Sequence, residues 1–324
     1  SSPSHSQLNL GHLRHVADNY RGSYRGQGIE LRSDAYGAVR AGQGLLLSSY
    51  PIQHDPRQHE AAGELSGPLA LLKQANTLAQ TLSRQSSQHQ GLRNSGQQHP
   101  HTRLDPQRGA LPGLVHSAQG IVDANDPQQA QTDAQHKRTG AAQAQQTTPH
   151  LTDPVLLLAS RGGQLTTSRD SLYAAAESQS WLSGGHQSLA AGEQQRWDAG
   201  QSLSLISGVV DSSLHQGLGL SVISGEGELL IQAQGSTLTL AAQGALSAES
   251  AQADTTLASP KRIVIQTAGG ASLTLDGGFS AQCPGELTIH AASRTYRPAT
   301  DATASLPQFR QSILKPIRRL NFSG

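Results

Sequence analysis

Between residues 151 and 292 the apolar positions come in short alternating runs cut by glycine. The runs are Leu203/Leu205, Leu218/Leu220/Val222, Leu229/Ile231/Ala233 and Leu238/Leu240/Ala242, resuming with Ile263/Ile265, Leu273/Leu275 and Leu287/Ile289. Most intervening positions are Ser, Thr or Gln. A period of two with one greasy and one polar face predicts half-buried strands. Gly184, Gly192, Gly200 and Gly208 recur at steps of about eight residues, and Gly217, Gly225, Gly235 and Gly244 continue at slightly wider steps. Steps this short fall in the range of β-helix repeats rather than helical ones.

The rest of the chain divides by the same reading. Residues 1–52 alternate through Leu8, Leu10 and Ile29–Glu30–Leu31, punctuated by glycines, and end in the apolar run Leu45–Leu46–Leu47 before Pro51. This predicts a β segment leading into the repeat. Over 53–150 the pattern turns helical from Arg57 to about Leu92, with Leu71, Ala75, Leu78 and Leu82 on one predicted face and Pro68 near the start, where a helix tolerates proline. After Gly91 the chain is rich in Gln, His, Asn and Pro, which predicts loop or disorder with a short helix near Gln128–Lys137. Residues 293–324 leave the repeat and carry Pro298, Pro307 and Pro316, which stop strand winding.

The repeat constrains the architecture. Each run offers two or three apolar side chains, and burying each yields roughly 1.5–3 kcal/mol. That is close to the roughly 1–2 kcal/mol per residue lost in ordering backbone. One ladder with a bare face is therefore marginal. A single chain could coil into a solenoid, but a step of about eight residues is too short to complete a three-sided turn. It suits one side of a prism shared by three chains, which also pairs every strand edge. The predicted fold is thus all-β: an intertwined triple-stranded β-helix, or trimeric β-prism, with a helical insertion and an irregular C-terminal tail. Its trimer core is assigned to Leu203, Leu205, Leu220, Val222, Leu229, Ile231, Leu238, Leu240, Ile263 and Ile265.

Composition supports a thin core. Only 3% of the 324 residues are aromatic and 35% are hydrophobic, while 34 are glycine, too few large side chains to fill the centre of a sphere. A net charge of +1 gives no general attraction to nucleic acid or anionic lipid. No apolar run nears the roughly 20 residues that span a bilayer, and no signal-peptide pattern opens the chain. The lone Cys283 excludes an intrachain disulfide and fits assembly in a reducing cytoplasm. Methionine is absent even at position 1, so the chain is expected to be cut from something longer.

Candidate chemistry is sparse. His59–Glu60–Ala61–Ala62–Gly63 begins like HExxH, but Gly63 replaces the second histidine, and a solvated helix start is favoured. His12 and His15, and distally His290, would each be tripled about an axis, which could suit a metal or anion; ordinary polar strand positions are the favoured reading. Cys283 precedes Pro284 with no matching histidine motif and reads as core filler rather than nucleophile. No catalytic residue, metal or cofactor is assigned, and an axial ion is left open. The leucine face of the helix is read as packing on the shaft or between protomers in preference to receiving a partner.

Longer strings carry a resemblance. QLNLGHLRHVADNYRG followed by GIELRSDAYGAVRAGQGLLLSS (residues 7–49) and SPKRIVIQTAGGASLTLDGG with QCPGELTIHA (residues 259–291) resemble the VgrG family of bacterial type VI secretion. The resemblance implies a non-enzymatic, trimeric puncturing spike. Its segments would be a β part leading into the shaft (1–52), a helical and low-complexity insertion (53–150), the β-helix (151–292) and a tail (293–324). It implies a PAAR-repeat tip protein approached by Leu273, Leu275, Leu287, Ile289 and His290. It also implies effector or adaptor cargo, a tube protein bound through an absent N-terminal head, and mechanical passage through the target membrane. Assembly would be cytoplasmic and release would be through the secretion machine. The tail, with Phe309, Ile313, Lys315, Arg318 and Arg319, is either a docking segment or a linker to a further domain. Rival readings are a phage central spike or tail-fibre shaft and a single-chain β-helix enzyme acting on carbohydrate, the latter needing acidic clusters and aromatic platforms that are scarce here.

Overall fold

A computed structural model describes the chain except residues 1–4, 18–19, 53, 58–59, 99–100, 144, 209–218, 299, 301–305 and 310–324. It divides into two units, one built on Ser1–Leu220 and the other on Ser221–Ile317.

The first unit begins with a long hairpin, β1 (Gln7–Ala17) antiparallel to β2 (Tyr20–Arg32). Its register sets Leu8 opposite Leu31 and Leu10 opposite Ile29, so the four aliphatics share one face. Asn9 lies opposite Glu30 on the other face, and Glu30 accepts hydrogen bonds from Asn9 (2.8 Å) and Arg25 (2.6 Å). Those donors, Asn9 foremost, hold the Glu30 carboxyl below its ordinary pKa. The predicted alternation is what the hairpin displays.

The chain then forms β3 (Leu45–Ser48), the long helix α1 (Ser66–Gln88), the short α2 (Ser95–Gln98), α3 (Ala110–Ser117), β4 (Gly120–Asp123), α4 (Pro127–Gln135), β5 (Thr147–His150) and β6 (Leu156–Ala159). β3 and β6 pair in parallel, Leu45 with Leu156 through Ser48 with Ala159. The hundred or so residues between them are thus an excursion that leaves and rejoins the shaft at one place. Leu46 and Leu157 pack, with Leu69, Leu72 and Val155, on the buried cluster Leu65, Ala118 and Leu151. Gly44, just before β3, has φ +118°, and a Cβ there would lie 2.9 Å from Leu151 Cδ1. The position therefore needs glycine for both conformation and space.

Two expectations for the insertion change. First, α1 does not bury the stripe Leu71–Ala75–Leu78–Leu82. Its buried positions are Pro68, Ala79 and Ser83, whereas Leu71 is 58% exposed and Leu82 38%. The packed stripe is rotated because Leu65, Leu69 and Leu72 dock the helix onto the β3–β6 pair. Second, the stretch after Gly91, expected to be loop or disorder, folds. α3 buries Leu111 and Val115, and β4 pairs antiparallel with β5 through Ile121 opposite Pro149. The expected short helix is present as α4. Asp126 caps it by accepting the N–H groups of Gln128 (2.8 Å) and Gln129 (3.2 Å), with Pro127 at the first helical position.

Buried carboxylates hold this region where apolar residues are few. Asp153 accepts hydrogen bonds from Ser117 and Thr152, both at 2.7 Å, and pairs with Lys137. Burial alone would raise its pKa, but these donors outweigh burial and the net shift is downward. Asp133 is held low chiefly by Gln129, then by Arg138 and the backbone N–H of Asp123, each at 2.9 Å.

After β6 the backbone bends at 161–162, 169–170, 176–177, 184–185, 192–193 and 200–201, a step of about eight residues. The predicted repeat is therefore present as a backbone rhythm. Paired strands are not: among the described residues from 160 to 262 there is neither helix nor strand, and from 184 to 258 no backbone–backbone hydrogen bond forms. A strand needs a neighbouring edge, and the chain folds none back onto this stretch.

In the second unit β7 (Ile263–Gln266), β8 (Ser272–Leu275) and β9 (Phe279–Gln282) form an antiparallel meander. The expectation that Ile263/Ile265 and Leu273/Leu275 lie on successive sides of a winding sheet is corrected, since Ile263 faces Leu275 and Ile265 faces Leu273 within the chain. Tight turns cause the reversal: Gly270 (φ +88°) donates to Thr267 at 3.1 Å, and Gly277 (φ +95°) lies where Asp276 donates to Gly278 at 3.3 Å.

Because the Asp153 and Asp133 carboxyls titrate lower in the folded than in the unfolded chain, their stabilisation is complete above about pH 5 and fades as pH falls through the depressed folded values, below about pH 4. Amide exchange across 110–153 is expected to be steady between about pH 5 and 7 once corrected for intrinsic rates, and to lose protection below about pH 4. Asp153→Ala is expected to destabilise the insertion by about 2 kcal/mol, read by the same protection.

Candidate interaction surface

The notable feature of this surface is how much apolar area is uncovered. Of the residues assigned to a trimer core, Leu203, Leu205, Leu220, Val222, Leu229, Ile231, Leu238 and Leu240 are all between 52 and 69% exposed. Ile263 is half-buried in the meander and Ile265 is 54% exposed. Single exposed leucines are ordinary, whereas a periodic series beside backbone unpaired among the described residues is not.

The β3–β6 pair shows the surface to be one-sided. Leu46 and Leu157 point to the insertion, while Leu47, Leu156 and Leu158 on the opposite face are about half or more exposed. The hairpin repeats the pattern, with Leu8, Leu10, Ile29 and Leu31 all bare.

The other assigned residues are placed as follows. The meander brings Leu273 and Leu275 together with Ile263, Ile265, Ala281 and Phe279 on one face. Leu287, Ile289 and His290 lie outside it and are exposed. Phe309 is exposed, and Ile313, Lys315, Arg318 and Arg319 lie outside the described residues. Cys283 is exposed, its thiol 3.4 Å from the Gly285 carbonyl oxygen. His12 stands 6.4 Å from the Tyr24 ring. His59 also lies outside the described residues. Gly63 has no room for a side chain, since a Cβ would meet the Pro149 carbonyl oxygen at 2.6 Å. Glu60 instead accepts the Asp55 N–H at 2.8 Å and contacts His54 at 2.5 Å. Among the described residues no group of three or more His, Cys, Asp or Glu could hold a metal. Among the described residues no helix is long and apolar enough to cross a membrane.

Sequence reasoning missed the aromatic part of the surface. Tyr173, Trp181 and Trp197 are each 55–59% exposed, and the Tyr173 and Trp181 rings meet edge to face at 5.9 Å. Their spacing was readable, but attention to glycine and aliphatic alternation passed over them.

Together these features define a β-repeat protein with a helical insertion on one face and an open apolar face on the other. Known proteins resemble parts of this chain. A family model described as "Putative type VI secretion system Rhs element Vgr" matches residues 1–86, and one described as "Uncharacterized protein conserved in bacteria (DUF2345)" matches residues 143–299. The type VI secretion system spike proteins VgrG2a and VgrG2b of Pseudomonas aeruginosa are each 39% identical over 89 residues, 27% of this chain. The match spans only 10% and 8% of those relatives' lengths. Two solved structures share the fold. A VgrG spike with bound Tle1 effector has TM-score 0.53 and 21% identity, covering 90% of this chain and 74% of that one. A VgrG spike alone has TM-score 0.51 and 22% identity, covering 87% and 86%. Residues 1–86 thus resemble the Vgr proteins of type VI secretion, and the fold is that of the VgrG spike structures.

The two faces of β6 should respond differently to truncation. Leu157→Ala is expected to cost the insertion about 1–3 kcal/mol, seen as lost amide protection around Leu65 and Leu151. Leu158→Ala should leave that protection unchanged.

Proposed function

We propose that the chain is the shaft of a homotrimeric puncturing spike. The observation that carries this reading is the set of open apolar side chains Leu203, Leu205, Leu220, Val222, Leu229, Ile231, Leu238 and Leu240, beside backbone that among the described residues forms no hydrogen bond within its own chain. Each chain would contribute one side of an intertwined triple-stranded β-helix, with interchain hydrogen bonds completing every rung. Identical copies satisfy the requirement most simply, because a rotational axis brings the same row of each chain to a common centre.

Such a body resists bending and local opening, since few loops interrupt it and every edge is paired. Its work would be mechanical: transmitting the thrust of a contractile apparatus through a target membrane. The names of the relatives, spike proteins throughout, support a role without catalysis. A conical PAAR-repeat protein would sit at the distal end near Leu273–Ile289. A tube protein would bind through a head domain, as inferred from the family resemblance. Effector cargo or an adaptor would ride on the shaft, the insertion or the tail; a spike with bound effector among the related structures supports cargo carriage. The protein would assemble in the bacterial cytoplasm and leave through the secretion machine.

The test is the mass of the purified chain by light scattering. Three chains of 34.0 kDa are expected, and a particle of one chain would end this reading. Leu238→Asp sets three carboxylates together at the axis and should abolish assembly. A heat-stable trimer of that variant would remove Leu238 from the interior.

A further inference from the structure

Residues 164–208 carry a regular pattern beneath the glycine repeat. Leu165, Tyr173, Trp181, Leu189, Trp197 and Leu205 recur at steps of eight. Two positions after each stands a small residue: Thr167, Ala175, Ser183, Ala191, Ala199 and Ser207. The backbone bends fall in step with them, from 169–170 to 200–201. Every large residue of the row is between 55 and 91% exposed.

The insertion identifies the outward side of this stretch. Ile206 packs against Gly91, and Ser180 Oγ lies 3.5 Å from Asn94 Oδ1 and against Gly96. Ala176 and Ser178 line a shared cleft with Leu104, Ala110 and Leu114, and Leu182 is half-buried. All of these shaft residues are even-numbered. The Glu177 carboxylate, at a bend, accepts the Arg103 N–H at 3.3 Å and ties the two parts together. The even-numbered side also carries the exposed ion pair Arg196–Asp198 at 2.7 Å. The row of large residues at steps of eight is odd-numbered, and apart from Glu177 at its bend the insertion's contacts fall on even-numbered positions, leaving this row bare, as with Leu47, Leu156 and Leu158.

We propose that this odd-numbered row is the seam on which two further copies of the chain seat, so that Tyr173, Trp181 and Trp197 form aromatic layers inside the shaft. The inference rests on the trimer reading and adds its radial register. A large residue followed two positions later by a small one lets rings from three chains interleave without steric conflict. The 5.9 Å edge contact between Tyr173 and Trp181 provides the step from one layer to the next. The interior assigned to Leu203 and Leu205 thus extends back to Leu165. The insertion, packed on the even-numbered side, stays outside.

The chain contains only two tryptophans, so fluorescence of the wild-type chain excited at the red edge, where tyrosine does not absorb, reports on this row alone. Expected is blue-shifted emission with iodide quenching several-fold weaker than in the urea-unfolded chain, and the same for each residue in Trp181→Phe and Trp197→Phe. Trp181→Asp should dissociate the particle, while Arg196→Asp, on the opposite side, should leave its mass unchanged. A particle of three chains whose tryptophans are quenched as freely as in urea would overturn the seam and leave the trimer intact. A particle of one chain would overturn both.

Discussion

A backbone amide must be paired or wet, and an apolar side chain must be covered; the repeat region meets neither condition within its own chain. From 184 to 258 its described residues form no backbone–backbone hydrogen bonds, and its aliphatic rows stand open. Each defect alone is tolerable. Water can satisfy an exposed amide, and scattered exposed leucines are common. Together and in phase they describe half an interface. The periodic bends make the other half specific, because only a surface with the same eight-residue rhythm can match both the side chains and the hydrogen-bonding groups at every rung. An identical chain is the simplest surface with that rhythm.

The insertion follows a different logic. It buries Leu111, Val115 and Ile121, shares the cluster Leu65, Ala118 and Leu151 with Leu46 and Leu157 of the β3–β6 pair, and has a polar interior fixed by two aspartates. Its ends meet at the parallel β3–β6 pair, so the shaft carries it without being diverted. The join uses both faces of that pair: one is apolar toward the insertion, the other apolar and bare. A segment apolar on both faces has to be buried on both, and the chain covers only one. The same polarity along 176–206 links the placement of the insertion to the sidedness of the shaft.

What could be read from the sequence follows from which forces have a short period. The hairpin, the start of the repeat and α4 were legible because alternation, glycine spacing and an Asp–Pro cap are local signals. The fold after Gly91 was not, since Asp133 and Asp153 also accept from Asp123 and Ser117, ten and thirty-six residues away, and Gln- and His-rich composition conceals such partners. The buried face of α1 was misjudged because Leu71 and Leu82 were weighed by type. Packing instead selected the small Ala79 and Ser83, where a helix can approach the rest of the module closely. At 263–282, runs read as sides of a winding sheet turn back on themselves, because Gly270 and Gly277 permit reversals that alternation alone does not encode. Of the candidate surface, the aliphatic rows were legible. The aromatic row became evident only when the insertion showed which side of the chain was occupied.

The scarcity of aromatic residues then acquires a physical meaning. A shaft interior has a nearly constant width, so each layer has to be filled by side chains of nearly equal total volume. Leucine rows do this with little strain, whereas a ring fits only where a small neighbour gives way, as Ser183 follows Trp181 and Ala199 follows Trp197. A ring also commits its layer to one register, because sliding the chains by one eight-residue step would set Trp181 against Leu189 and leave one layer overfilled and the next hollow. Repetitive sequences are prone to such slips, since most rungs are interchangeable. A few aromatic layers at one end of an otherwise uniform stack would lock the alignment of the chains at small cost in stability. In the proposed trimer, the two tryptophans and Tyr173 would do this beside the insertion, where misalignment would also displace that side-mounted part.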